Sequence, residues 1–335
     1  MTLRAVGALV LAFAATAVPA AGTAAATTTP AAHARHTEHG MHSDSVRYAS
    51  LKSCVTKNKE EVPCGPWQLH LHSGEKASLT GARVLPRDAH GKVVKNVPAP
   101  VAVSGDGQYV AYIRERDDRL VVRELTGKIH VMPADAIPRG TDMAGVTLDL
   151  SLTGAALAVE DGDQKFIRLF DVASGKALGT IPARRAFTGF SGDEDEVLTR
   201  LSTDENTTML ITYDLQGNEL ARREPPQVVG QDGTLALHAD GRSVAFYSQG
   251  TRTLKVYDLE SDTVVGSTRV RMPGDYAPQM IDWTGSGEVT VHVLRPGEGK
   301  PDTMTVLRID PATGATKVRD SYKIKNAFTF AACGG

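Results

Sequence analysis

The sequence predicts an all-β protein built from repeated, four-stranded antiparallel sheets. Three observations support this prediction: a tight turn that recurs about every 45 residues, a second turn with the same period, and no helical pattern of useful length beyond the N-terminal segment. The 32 Gly and 17 Pro residues among 335 indicate a chain that turns often. Hydrophobic residues make up 41% and charged residues 23%, a composition that supports a packed core and excludes a disordered protein.

Residues 1–26 are predicted to be a cleaved secretory signal. Arg4 supplies positive charge, an uncharged Ala-rich run extends to Ala21, and Ala24-Ala25-Ala26 fits a small-residue cleavage site. The apolar run is short for the ~30 Å of a bilayer core, and an uncleaved membrane anchor is the alternative. We therefore expect a secreted or extracytoplasmic protein at the cell envelope, with no stable membrane span after cleavage.

Residues 27–47 are predicted to form a disordered, His-rich linker. The segment is of low complexity, and four histidines follow one another at a spacing of three: His33, His36, His39 and His42. Imidazoles at this spacing can hold Zn, Cu or Ni if the segment folds around the ion. The alternative is a flexible, partly protonated tail, which the absence of an apolar face favours.

The first recurring turn follows an apolar strand in each repeat. Its six copies are centred on Gly91, Gly127, Gly175, Gly217, Asp262 and Gly314. An Asp at the start of the turn can accept backbone hydrogen bonds, and Gly supplies the left-handed residue that a short hairpin loop needs.

The second recurring turn lies earlier in each repeat and joins two further strands. Its five copies are centred on Gly107, Gly154, Glu194, Gly241 and Gly287. Each repeat is therefore predicted to contain two hairpins, which we describe as strands A, B, C and D. Short strands with small residues on the inner positions are typical of the blades of a β-propeller.

These motifs resemble the WD40-like and YVTN-type β-propeller repeats of secreted bacterial proteins. The matching segments are Ser104–Ala111, His238–Ala245 and Phe170–Lys176, and the resemblance covers Trp67–Ala331. The Gly-His and Trp-Asp dipeptides of WD40 blades are absent. The resemblance implies a propeller but no particular activity, because propellers include hydrolases, oxidoreductases, lectins and binding platforms. A bias toward Ala, Arg, Gly and Val is typical of a high-GC bacterial source.

The mismatch between six copies of one turn and five of the other predicts how the ring closes. Trp67–His72 is predicted as strand B of the first blade, with strands C and D near residues 82–86 and 93–94. Ala327–Ala331 is predicted to supply the missing strand A, which would remove an open sheet edge. We expect six blades within residues 48–335. A ring of seven blades is the alternative, although it needs more chain than this range offers.

The three cysteines predict one disulfide and one free thiol in an oxidising compartment. The predicted bond joins Cys64 to Cys333 and would connect strands A and B of the first blade. The alternative is a local bond between Cys54 and Cys64.

No catalytic, cofactor or metal site is predicted. The folded part contains six histidines but no G-x-S-x-G turn: His70, His72, His90, His130, His238 and His292. His70 and His72 lie on one face of a strand and are interpreted as a structural pair. Asp193–Glu196 has the carboxylates that Ca²⁺ prefers, but its position predicts a solvated turn.

The remaining candidates are charged surface segments. Arg184-Arg185 and Arg222-Arg223 are predicted to be exposed charge at blade connections. Two long loops are possible binding loops: Ile129–Gly145, with Asp135, Arg139 and Asp142, and Arg295–Asp302. Neither loop has a pattern that defines a site.

The functional prediction is an exported, non-enzymatic and monomeric propeller that binds an unknown protein, peptide or cell-surface polymer. A net charge of −2 and the lack of a Lys/Arg run argue against nucleic acid as a partner. One alternative is a lactonase-like hydrolase, which would need carboxylates or His in the central channel. Another is metal binding through the His33–His42 segment.

Overall fold

A computed structural model describes residues 44–334 except 164, 231, 232, 275, 285 and 286. The predicted signal 1–26 and the histidines His33, His36, His39 and His42 lie outside the described residues. Within the described part of the chain, no helix is long and apolar enough to cross a membrane.

The described chain forms six sheets, each of four antiparallel strands. Blade 1 consists, from the inside outward, of β24 (Ala327–Ala332), β1 (Val46–Val55), β2 (Glu61–Leu71) and β3 (Lys76–Ser78). Blade 2 consists of β4 (Val101–Val103), β5 (Tyr109–Ile113), β6 (Leu120–Glu124) and β7 (Ile129–Val131). Blade 3 consists of β8 (Val146–Leu150), β9 (Ala156–Asp161), β10 (Ile167–Asp171) and β11 (Lys176–Ile181).

The other three blades follow the same order. Blade 4 consists of β12 (Ala186–Phe190), β13 (Glu196–Ser202), β14 (Thr208–Asp214) and β15 (Glu219–Arg223). Blade 5 consists of β16 (Leu235–Leu237), β17 (Ser243–Ser248), β18 (Thr253–Asp258) and β19 (Thr263–Arg269). Blade 6 consists of β20 (Pro278–Thr284), β21 (Glu288–Arg295), β22 (Asp302–Ile309) and β23 (Thr316–Ile324). Two short helical turns, a 3-10 turn at Met143–Gly145 and α1 (Gln227–Gly230), connect blades. The prediction of a six-bladed propeller is confirmed.

The recurring glycine turns fall where the sequence places them in blades 2–6. Gly107 joins strands A and B of blade 2 and has a φ of +70°. A Cβ at this position would lie 2.4 Å from the carbonyl oxygen of Val46 in blade 1. The Val46 N–H donates to the Gly107 carbonyl at 2.8 Å. Glycine is therefore needed here both for the backbone conformation and for the contact between blades.

Blade 1 differs in detail from the prediction. The last strand does supply strand A, as expected, but its partner is β1, whereas Trp67–His72 runs along strand C. The predicted strands near 82–86 and 93–94 are replaced by an irregular segment with isolated bridges at Ala82–Arg114 and Arg87–Val93. β1 begins at Val46, two residues before the predicted domain boundary at 48. The second half of β1 is polar, so this segment lacks the apolar pattern that predicts a strand.

The disulfide joins Cys54 to Cys64, with a Cα–Cα distance of 5.9 Å, and the predicted Cys64–Cys333 bond is wrong. Cys54 and Cys64 lie on the paired strands β1 and β2. The Cys333 N–H donates to the Arg47 carbonyl, whereas Cys64 is opposite Lys52 on the same strand. Five residues of strand span roughly 16 Å, well beyond disulfide reach. Cys333 is a buried free thiol, and its burial raises the pKa to about 11.

Blades 6 and 1 are joined by side chains on β1 and β23. The Tyr48 ring stacks between His70, at 4.1 Å between centroids, and Tyr322, at 4.9 Å. The Arg47 guanidinium forms an ion pair with Asp320 at 2.7 Å. These contacts connect the two blades across the seam where the ring closes.

Candidate ligand site in the central cavity

The inner strands of all six blades surround a central cavity of about 390 Å³. Its wall includes residues of β4, β8, β12, β16, β20 and β24. Gly105, Leu152 and Ser191, which follow the ends of three inner strands, also line the cavity. The cavity therefore reaches the face of the ring on which the turns between strands A and B lie.

Two carboxylates line this cavity, Asp149 on β8 and Asp282 on β20. Both belong to inner strands that are otherwise mostly apolar or neutral. Their blades, 3 and 6, are three positions apart in a ring of six, and the two strands therefore lie on opposite walls. The propeller places in one cavity two acids that are far apart in the sequence.

Burial raises the pKa of both carboxyls. The pKa of Asp149 rises to about 6, and desolvation is the cause. The pKa of Asp282 rises to about 8, mainly through burial and further through the negative charge of Asp149, while Arg319 acts in the opposite direction. Near neutral pH, Asp149 is therefore mostly ionised and Asp282 mostly protonated. The pair therefore carries about one negative charge near neutral pH, and a positively charged ligand would stabilise that charge.

The surroundings leave these carboxyls without strong internal partners. Oδ2 of Asp282 is buried and has no hydrogen-bond partner among the described residues, and a Cβ built on Gly334 would lie 3.4 Å from it. The Asp149 carboxylate has no hydrogen-bond or ion-pair partner among the described residues. Arg200 also lines the cavity and donates to the carbonyl of Gly233, but it does not shift the pKa of either carboxyl.

A third acid, Glu160 on β9, lies close to the cavity wall. Its carboxylate accepts a hydrogen bond from the Phe187 N–H at 3.2 Å, which links blade 3 to the inner strand of blade 4. Burial raises the pKa of Glu160 to about 7, and the charges of Asp149 and Asp161 add to the shift. A third acid therefore lies beside the cavity that Asp149, Asp282 and Arg200 line.

A second cavity of about 740 Å³ lies between blade 6 and β24. His292 on β21 lines it and is fully buried, with the Gly334 backbone beside its ring. Burial lowers its pKa to about 4, so the imidazole is neutral at physiological pH. The predicted loop Arg295–Asp302 joins β21 to β22, and residues 299–302 cover this cavity.

Most of the other described histidines have local structural partners. His70 bonds to Ser50 at 3.0 Å and His72 bonds to Ser45 at 2.9 Å, consistent with the structural pair that the sequence predicts. His130 bonds to Glu124 at 2.7 Å, and His238 packs edge-on against Trp283. His90 lies exposed in the irregular segment after blade 1. The described side chains contain no group of three or more His, Cys, Asp or Glu arranged to hold a metal ion.

The acidic segment Asp193–Glu196 forms the turn between β12 and β13, as predicted, but it is less solvated than expected. Glu194 accepts hydrogen bonds from the Ser151 hydroxyl and, at 2.9 Å, from the Thr153 N–H. It therefore links blades 3 and 4. This structural role accounts for an acid that the sequence offered as a cation ligand.

The arginine pairs and the long loop after β7 also have structural roles. Arg185 donates to the Tyr213 hydroxyl at 3.1 Å, and Arg222 forms a bidentate pair with Glu219. Arg184 reaches Asp204 at 3.0 Å on the surface. In the loop, Asp142 caps the 3-10 turn and Asp135 lies 3.8 Å from Arg168, whereas Arg139 is exposed. The loops therefore contribute no cluster of reactive groups.

Sequence reasoning did not single out Asp149 or Asp282. The available signal was a charged residue inside an otherwise uncharged inner strand, Val146–Leu150 in one case and Pro278–Thr284 in the other. A buried acid without a fixed partner is uncommon and is often functional. The proximity of the two acids is set by the ring, so no local pattern reveals it.

No protein-family model matches the chain, and no curated protein matches it. Among solved structures, the chain is similar to one described as a nidogen/laminin complex, with 11% identity, a TM-score of 0.46, and coverage of 86% of this chain and 99% of the other. The chain is also similar to a solved structure described as a TolB from Agrobacterium tumefaciens, with 13% identity, a TM-score of 0.46, and coverage of 83% of this chain and 90% of the other. The propeller domain of Cps50 (Swd1) from Myceliophteria thermophila gives 16% identity and a TM-score of 0.42, with coverage of 68% and 71%.

The strand pairing of this chain by itself defines a six-bladed β-propeller. Its central cavity is lined by two carboxyls with unequal, raised pKa values and by the arginine Arg200.

Proposed function

We propose that the chain is an exported, non-enzymatic β-propeller that binds a cationic group of a protein, peptide or cell-surface polymer at its central cavity. The observation that carries the proposal is the pair Asp149 and Asp282, which face one cavity without a salt-bridge partner among the described residues. A protonated amine placed between them would balance the negative charge of ionised Asp149 and donate a hydrogen bond to Asp282 in a partly desolvated site. Charge pairs in such sites contribute about 1.5 kcal/mol or more.

Two further observations support the compartment in this proposal. The N-terminal 26 residues have the features of a secretory signal. The Cys54–Cys64 disulfide is of a kind that persists in oxidising compartments. We place the protein at the cell envelope or outside the cell, as a monomer that does not bind nucleic acid. Cell fractionation and N-terminal sequencing test this location, and an uncleaved chain in the cytosol would contradict it.

Hexalysine with an acetylated N-terminus is a suitable probe of the cavity, because its side-chain amines stay protonated below pH 9. Calorimetric titration is expected to give affinity that rises about tenfold from pH 6.5 to 8.5, as Asp282 loses its proton. Asp149→Asn and Asp282→Asn together should remove this binding. Asp204→Asn is the matched control, because its carboxylate is 93% exposed at the rim. Hexaserine should not bind.

Two outcomes would overturn the proposed site. The first is hexalysine affinity that is equal in the wild type and the double variant. The second concerns a cell-envelope extract. If the wild type and the double variant retain the same cationic components, or neither retains any, the site is not the binding site. The folded state of each variant is checked by circular dichroism before titration.

A hydrolase is the second candidate, and the unequal carboxyls favour it. A protonated and an ionised carboxyl in one cavity are the groups that general acid–base catalysis needs. A screen of lactones and glycosides with the wild type and Asp282→Asn tests it: turnover that the substitution removes would establish an enzyme. Metal binding by His33–His42 is tested by calorimetry with Zn²⁺ or Cu²⁺, with and without residues 27–45.

A further inference from the structure

A groove on the outer rim, between blades 5 and 6, is separate from the central cavity. It consists of two adjoining volumes of about 500 and 550 Å³ that share Arg269, Arg271 and Met272. One wall is the end of β19, the outermost strand of blade 5, with the segment that follows it. The other wall is the sheet face of β22 and β23, with Leu307 and Val318 paired across the strands.

The groove has a fixed shape because the two blades are in contact beside it. The Thr268 hydroxyl donates to the Pro311 carbonyl at 2.8 Å. Gly314, in the turn between β22 and β23, lets the turn approach so closely that a Cβ there would lie 2.8 Å from the Arg269 carbonyl oxygen. The backbone that carries Arg269 is thereby positioned before any ligand arrives.

The charged residues described on the groove wall are all arginines, although the whole chain has a net charge of −2. Arg269 and Arg271 are exposed, and neither forms an ion pair or a side-chain hydrogen bond among the described residues. Arg252 adds a third guanidinium to the wall, and none of the described lining residues is an Asp or Glu. The guanidinium groups of Arg269 and Arg271, which have no partner among the described residues, can form bidentate bonds with carboxylates.

The floor between these charges is apolar. Met272, Pro273 and Leu307 line it, and Val318 on β23 is 64% exposed beside them. A ligand that satisfies both features carries carboxylates on either side of an aliphatic group.

We propose that this groove binds an acidic, extended segment of a partner protein, with two carboxylates on Arg269 and Arg271 and an aliphatic side chain on Val318. The inference is independent of ligand binding in the central cavity. A peptide fits better than an anionic polysaccharide, because a polysaccharide offers no aliphatic side chain to cover the apolar floor. β19 is also the last strand of its sheet, so one edge has backbone groups with which an extended peptide can pair.

A displayed library of random twelve-residue peptides tests the groove without knowledge of the partner. Selection on the full-length protein is expected to enrich peptides with carboxylates flanking Val, Ile or Leu. The enriched peptides should lose at least tenfold in affinity on Arg269→Gln with Arg271→Gln, measured by fluorescence anisotropy. Val318→Ser should weaken binding several-fold. The control Arg139→Gln changes an exposed arginine outside the groove and should leave the affinity unchanged.

Three results would overturn the inference. One is selection that enriches no acidic motif, or the same motif on the double variant. Another is polygalacturonate that binds as tightly as the best peptide and is released by the same substitutions, which would assign the groove to an anionic polymer. The third is a dimer in sedimentation that the double variant abolishes, which would make a second copy of this chain the occupant.

Discussion

Blades 1 and 2 are neighbours with the same four-stranded plan, but they are built from the chain in different ways. Blade 2 consists of consecutive short strands joined by tight turns, and β4 and β7 have three residues each. Blade 1 takes its inner strand from the far end of the sequence and has a long central hairpin, β1 and β2, of 10 and 11 residues. A disulfide within this hairpin and the Tyr48 stack accompany the discontinuous strand. The comparison teaches that a blade with a discontinuous inner strand is secured by additional contacts, one covalent within its hairpin and others across the seam to blade 6.

Removal of residues 326–335 is the strongest way to test this difference. Without β24, the inner edge of β1 is unpaired and the buried residues of blade 1 next to it become exposed. We expect loss of the cooperative thermal transition, measured by circular dichroism. A synthetic peptide of residues 326–335, added in trans, should restore at least part of it. An unchanged transition in the truncated protein would show that the inner strand is dispensable.

The contact between blades 1 and 2 is tested by Gly107→Ala. The new Cβ would clash with the Val46 backbone. The alanine would also have to adopt a φ of +70°, which is unfavourable for a residue with a side chain. We expect a loss of about 2–4 kcal/mol in unfolding free energy, measured in urea. Gly91→Ala is the matched control, because φ there is +80° but nothing lies within 4 Å of the new Cβ. Its substitution should cost about 1 kcal/mol of unfolding free energy. Equal costs at both sites would show that backbone strain, and not the contact with Val46, causes the loss.

Replacement of Cys54 and Cys64 by Ser tests the covalent support of blade 1. The bond joins residues ten apart in sequence, and its loss should reduce the unfolding free energy by about 2–3 kcal/mol in the chain-entropy model. Dithiothreitol should lower the urea midpoint of the wild type to that of the variant and should not affect the variant. If the midpoint of the wild type is insensitive to reductant, the hairpin does not depend on its disulfide.

The last prediction concerns the pH dependence of stability that Asp282 and Glu160 produce. The folded-state pKa of Asp282 is about 8 and that of Glu160 about 7, both above their unfolded values. The folded protein therefore binds more protons, and its stability falls as pH rises through these pKa values. From pH 6.5 to 8.5 we expect a loss of about 2–3 kcal/mol, measured by urea unfolding, with Asp282 contributing the larger share.

Asp282→Asn should remove much of this pH dependence, whereas Asp204→Asn at the rim should retain it. Because Gly334 lies against Asp282, hydrogen exchange should show β24 losing protection before β17 of blade 5. A stability that stays constant over this pH range in the wild type would contradict the raised pKa values.

The same comparison explains how much of the structure was predictable. In blades 2–6 each turn lies next to the strands that it joins, so the repeat predicted the strand order and the glycine positions. In blade 1, the partner of β1 is remote in sequence, and the polar outer half of β1 resembles a loop. The cysteine pairing failed for the same reason, because it depended on the position of β1. Asp149 and Asp282 required the closed ring before their proximity existed.

The pairing of β1 with β24 also fixes an order of events during synthesis. β1 is among the first strands to be made, yet its β24 partners follow between 275 (327 − 52) and 284 (332 − 48) positions later. Until then the growing chain carries an unsatisfied inner edge on β1, which any other unpaired strand can occupy. Ring closure is therefore a step that follows translation of all six blades, and a chaperone that covers β1 during that interval would act on the most vulnerable surface of the molecule.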